Sequence, residues 1–225
     1  MKKYWGVLIK KMGWNDSTQV MQDLQGYFTR SQIAQILNGA PTAELKLLFK
    51  LLYHGRRITE VLGRKEYVHK NKEKAIMYPA ITGLTPSNID KEKCLVGFHI
   101  LKKRKKVVKL FPLEENTYNE LMEYIEAKSI SDEQPIFRMN RFQASYQLKK
   151  LCKKLGILRV GAKAPHLHLF RHSFAVHLLE KTNDPAAIII IKNALVHSNI
   201  ALTSGYLQFS QDKLRDLVNK TIGGV

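Results

Sequence analysis

The last quarter of the chain carries an arginine, several histidines and a tyrosine in an order suited to phosphodiester chemistry. His168-Leu-Phe-Arg171-His172 is followed by Val196-His197-Ser198-Asn199, and Tyr206 stands nine residues after His197. The tyrosine hydroxyl is a nucleophile, the histidines can move protons, and the guanidinium can hold two phosphate oxygens in a fork. His166, His168 and His172 also offer imidazoles to zinc. No cysteine or acidic side chain joins them, so a metal site is not expected.

Composition points to the same kind of partner. Thirty-seven Lys and Arg oppose 19 Asp and Glu, a formal net charge of +18. Such an excess favours a polyanion, because each phosphate neutralised releases condensed counterions. A generally basic, soluble surface is the plain alternative. The longest apolar run, Ala186 to Ile191, is too short to span a bilayer and is bounded by Pro185 and Lys192. With no signal-peptide pattern at the start, and with Cys94 and Cys152 expected to be reduced thiols, a cytoplasmic protein is expected, nucleoid-associated if prokaryotic.

The elements that must position these residues read as mostly helical. Residues 1–27 form a short N-terminal extension with a possible helix after Asp16-Ser17. Thr29-Arg-Ser-Gln32 has the form of a capping box opening a helix that Gly39-Ala-Pro41 ends. A leucine-rich amphipathic helix is expected over 43–53, and another from Arg57. Residues 63–82 turn basic and polar and read as an insertion or exposed loop. Two β-rich runs, 95–101 and 107–111, flank Lys102-Lys103-Arg104-Lys105-Lys106 and predict a β-hairpin with a basic tip. Helices are expected thereafter over about 114–127, 140–154, 171–182, 185–196 and 211–221. The fold class is mainly α with a small antiparallel sheet.

The motifs resemble those of the tyrosine recombinase (phage integrase) family across about residues 28–225. His168-Leu-Phe-Arg171-His172-Ser-Phe-Ala is similar to the family's His-x-Leu-Arg-His-Ser/Thr/Ala-Phe-Ala. Leu195-Val196-His197-Ser-Asn-Ile followed by Tyr206 is similar to its Leu-Gly-His motif and tyrosine, with Val196 replacing glycine. Gly55-Arg56-Arg57-Ile58-Thr59-Glu60-Val61-Leu62 resembles the first arginine motif, with Arg56 at the usual leucine position. Glu60, one turn beyond Arg57, is suited to holding its guanidinium. The family's catalytic lysine lies near a hairpin tip. A gapless count back from Pro112-Leu113 puts Arg104 in its place, and a one-residue shift gives Lys103 or Lys105; Lys103 is favoured. Lys102, Arg104, Lys105 and Lys106 would touch DNA, and a hairpin that only contacts phosphates is the alternative.

The resemblance implies a recombinase catalytic domain over 28–225. Arg57, Arg171 and His197 would bind the non-bridging oxygens, His168 would exchange the Tyr206 proton, and the lysine would protonate the leaving 5′-oxygen. The product is a 3′-phosphotyrosine, made without metal, nucleotide or other cofactor and with no small-molecule substrate. Double-stranded DNA, self-association into a tetramer upon it, and no membrane complete the implied partners. A type IB topoisomerase-like activity and a DNA-binding regulator that keeps the fold without full activity are the alternatives.

Overall fold

The computed structural model describes residues 26–71, 74–102, 105–161 and 163–182, with 191, 193 and 195 beyond them. The expected helix after Ser17, the remainder of 185–196 and the expected helix over 211–221 lie outside the described residues. Described elements run α1 (Arg30–Asn38), α2 (Ala43–Tyr53), α3 (Ile58–Leu62), β1 (Tyr67–Asn71), β2 (Lys74–Tyr78), β3 (Ile89–Asp90), β4 (Leu95–Lys102), β5 (Lys105–Pro112), α4 (Glu115–Ala127), α5 (Arg141–Lys154) and α6 (His168–Thr182). The fold is mainly helical with antiparallel strands, as the sequence leads one to expect, but the strands form two small sheets rather than one.

The caps follow from the residues that precede each helix. Thr29 accepts from the Gln32 amide while the Gln32 side chain accepts from the Thr29 amide, and Asn140 and Gln143 do the same for α5. Thr42 accepts from Leu45 to open α2. That helix buries Leu45, Leu47, Leu48, Phe49, Leu51 and Leu52, more than one face, because it is the centre of the domain. It packs against α1, α4 and α6, with Phe49 stacked on Phe170 at 5.0 Å. Ser173 ties the chain before α1 to α6: its hydroxyl accepts from Phe28 N–H at 2.8 Å and donates to the Leu169 carbonyl.

One sheet has the order β3-β4-β5, with Val96, Phe98 and Ile100 of β4 buried at alternate positions. The register pairs Leu95 with Pro112 and Lys102 with Lys105. The ladder therefore runs past the strand ends expected from sequence, into the basic segment. β3 pairs with β4 as a short third strand that the sequence does not announce.

Two other expectations are corrected. Within the basic stretch 63–82, residues 67–71 and 74–78 form a β-hairpin rather than an exposed loop, with β1 and β2 paired antiparallel from Tyr67↔Tyr78 to Asn71↔Lys74. Helix α6 begins at His168 rather than at 171, so His168 and Arg171 share one helix a turn apart. The early start has a local reason, since Leu169 and Phe170 amides donate to the His166 and Leu167 carbonyls.

His54 closes α2 onto α4 and carries a pH dependence. Its Nε2 lies 3.2 Å from the Glu114 amide, which can only donate, so Nε2 must accept and Nδ1–H donates to the Lys50 carbonyl at 2.7 Å. Burial holds the imidazole below its usual value, opposed by the Lys50 carbonyl and Glu114. A depressed histidine takes up its proton more readily when unfolded. Its contribution is therefore present above about pH 6.5 and lost as pH falls below it. Replacing His54 with Ala should lower stability at pH 7.5 by roughly 1–2 kcal/mol and flatten the decline between pH 7.5 and 5.5, read from urea unfolding. An unchanged slope would contradict the role given to His54.

Candidate functional site

Gly55 is where the site begins. After α2 the chain turns at φ +81°, a left-handed conformation open to glycine, and a Cβ there would stand 2.8 Å from Leu195 Cδ2 and 3.0 Å from Phe174. The turn points the Gly55 carbonyl at Arg171. That guanidinium, 2% exposed, donates from Nη1 to Gly55 O and from Nη2 to Leu195 O. A residue of α6 is thereby locked to two backbone segments distant in sequence.

Arg57 caps α3 two residues later. Its amide donates to Glu60 Oε2 at 2.9 Å and its Nη1 to Oε1 at 2.6 Å. Glu60 is 3% exposed whereas the Arg57 side chain is about a third open. A buried carboxylate thus orients a guanidinium that still reaches solvent, as the spacing leads one to expect. Arg56, at the position that usually holds leucine in the resembling motif, is buried over Phe111 at 3.6 Å and Phe98 at 5.5 Å. Burial pulls it down to about 10, with Glu60 raising it and Arg57 lowering it. Its aromatic contacts tie the start of α3 to strands β4 and β5.

His168 stands at the first turn of α6 with its ring edge-on to His172 at 4.6 Å. It is pushed down to about 3 by burial, then by His172, Arg171, Arg57 and His166. His168 is exposed at the surface, and Arg171 and Arg57 are the permanent cations that disfavour its protonated form. It is a neutral imidazole beside two guanidiniums. Beside it opens a depression of about 350 Å³ lined by Lys163, His166, His168 and His172, with Gly26 and Val160 at its wall. Lys163 is brought there by the tight pairing of Val160 with Lys163, across Gly161 at φ +61°. Sequence reasoning assigns Lys163 no role, and the only advance signal is the glycine two residues before it.

The structure therefore brings together Arg57, Glu60, His168 and Arg171. Lys102, Lys105 and Lys106 belong to β4 and β5. Lys103, Arg104, His197 and Tyr206 lie outside the described residues. Among the described residues no group of His, Cys, Asp and Glu is arranged to hold a metal ion. Cys94 and Cys152 are both free thiols, one exposed and one buried. No described helix is long and apolar enough to cross a membrane.

Comparison with known proteins places this geometry. The sequence profile of the Phage integrase family matches residues 79–213. Tyrosine recombinase XerA of Thermococcus onnurineus is 28% identical over 216 residues, covering 90% of this chain and 64% of that protein. The crystal structure of XerA recombinase superposes with a TM-score of 0.61 at 20% identity, over 87% of this chain and 63% of that one. A post-cleavage complex of XerH site-specific recombinase bound to palindromic difH substrate gives 0.62 at 19%, over 92% and 56%. These two likenesses show a shared fold. The chain spans less than two thirds of each of these three proteins.

Proposed function

Because the chain belongs to the phage integrase family, we propose that it is a site-specific DNA recombinase that cleaves and rejoins strands through a 3′-phosphotyrosine at Tyr206. The observation that carries this reading is the fixing of two guanidiniums around the turn at Gly55: Glu60 holds Arg57, and the Gly55 and Leu195 carbonyls hold Arg171, with His168 one helical turn before it.

In this reading residues 28–225 are the catalytic domain, with 63–82 inserted in it. Arg57, Arg171 and His197 bind the non-bridging oxygens and stabilise the charge that grows on the phosphorane. The Tyr206 oxygen forms a bond to phosphorus as its proton passes to His168. The bond from phosphorus to the 5′-oxygen breaks, and Lys103 supplies the proton that oxygen needs. A 5′-hydroxyl then attacks the phosphotyrosine and every transfer runs in reverse, so the reaction needs no cofactor. A phosphate bound at Arg57 and Arg171 would place negative charge beside His168 and favour its taking the tyrosine proton. Lys102, Arg104, Lys105 and Lys106 grip the backbone, and two DNA sites are brought together by a tetramer of the protein.

The test is a nicked duplex carrying the sequence that flanks the encoding gene, followed by a denaturing gel. Wild type should give a covalent protein–DNA band, and Tyr206→Phe should bind the duplex equally but give none. Binding without any band from the wild type would favour a DNA-binding regulator. Relaxation of supercoils without exchange between two sites would favour topoisomerase-like chemistry.

A further inference from the structure

The hairpin β1–β2 joins the domain through a narrow backbone neck. The Leu84 amide donates to the Val61 carbonyl at 2.9 Å, joining the end of α3 to the chain beyond the hairpin. Arg64 and Ile81 then pair through both backbone bonds at 2.9 Å. A Cβ on Gly63, at φ +70°, would lie 2.5 Å from Gly83 N, so two backbone segments touch there and only glycine fits. The chain leaves the domain and returns to it through this neck.

Beyond the neck the hairpin is stiffened from within. Tyr67 and Tyr78 stack at 4.9 Å with planes 7° apart, and the Arg64 guanidinium lies over both rings. The two strands form a sheet of their own. Five residues per strand make an arm of roughly 15 Å. Its surface is unlike that of a domain interior: Val68 is 50% and Met77 64% exposed, and they are cross-strand partners. Such an isolated two-stranded ribbon is marginal in water without something to lie against.

The charge says what that is. From 64 to 82 the sequence sets Arg64, Lys65, Lys70, Lys72 and Lys74 against Glu66 and Glu73, an excess of three positive charges. Lysines can simply guard a strand edge against pairing. Here they accompany exposed apolar side chains on an arm that starts one turn beyond Glu60, the residue holding Arg57. We infer that the arm is a second DNA-binding element, laid along duplex beside the phosphate held at Arg57, with lysines on the backbone and the Val68–Met77 pair toward the groove. A two-stranded ribbon is of a size the major groove admits. The inference rests on the recombinase reading above, and its test separates the two.

The test compares wild type, the triple variant Lys65→Ala, Lys70→Ala, Lys74→Ala, and a chain in which residues 65–80 are replaced by two glycines. Binding to a labelled duplex of unrelated sequence is followed by anisotropy across a salt series. Both variants should bind about tenfold or more weakly, with the slope of log affinity against log salt reduced by about 2–3 for the lost lysines. Covalent trapping at saturating protein should persist in both. Affinity and slope equal to wild type in the triple variant would overturn the inference, whether or not the excised chain folds. Loss of self-association with unchanged duplex affinity would also overturn it, making the arm a protein contact. A wild type that forms no covalent band leaves the affinity comparison standing and counts against the recombinase reading alone.

Discussion

Replacing Arg171 with lysine is expected to slow covalent trapping by about a hundredfold or more and to lower stability as well. The two effects have one origin. Arg171 donates simultaneously to the Gly55 and Leu195 carbonyls, and a lysine ammonium has a single nitrogen with which to serve both. A buried carbonyl left without its partner costs about 1–3 kcal/mol. At roughly 2–4 °C per kcal/mol for a chain of this size, a visible fall in melting temperature follows. Single-turnover trapping measured well below the melting range separates the chemical loss from the structural one. A lysine variant with wild-type rate would show that the fork is not needed at the phosphate.

Gly55→Ala should be nearly as damaging although it removes no functional group. The left-handed backbone costs a side chain about 1–2 kcal/mol. The new methyl must also displace Leu195 and Phe174, which stand within 3.0 Å of it. Overpacking of that kind costs about 1–3 kcal/mol more. Because the Gly55 carbonyl is one anchor of Arg171, the shift should also reach the site. We expect both a lower melting temperature and slower trapping. A variant that loses stability but keeps the full trapping rate would separate the turn from the chemistry.

How legible the protein was in its sequence depended on the range of each interaction. Thr29 with Gln32, and the apolar spacing of 43–53, are local signals, and the helices they predict are present. So is Glu60 three residues from Arg57, and that pair meets at 2.6 Å. The hairpin at 67–78 is opaque because Lys70, Asn71 and Lys74 break the apolar pattern of its strands, and Val68 and Met77 are exposed. The start of α6 was misjudged because none of the usual capping residues precedes His168, and carbonyls of the preceding loop take up its first amides. Arg171 could be singled out by its motif, but not its partners: Gly55 lies 116 positions away. Lys163 enters the depression through a turn geometry rather than a motif.

The same long-range anchoring sets the order in which Arg171 can acquire its two carbonyl partners. Gly55 leaves the ribosome 116 residues before Arg171, and Leu195 follows Arg171 by a further 24. Contacts so far apart in the chain close late, after local helices have formed. A nascent or truncated polypeptide can therefore fold α1, α2 and the β4–β5 ladder while Arg171 still lacks one or both carbonyls. Synthesis itself acts as a timer, withholding an ordered arginine until Leu195 has emerged.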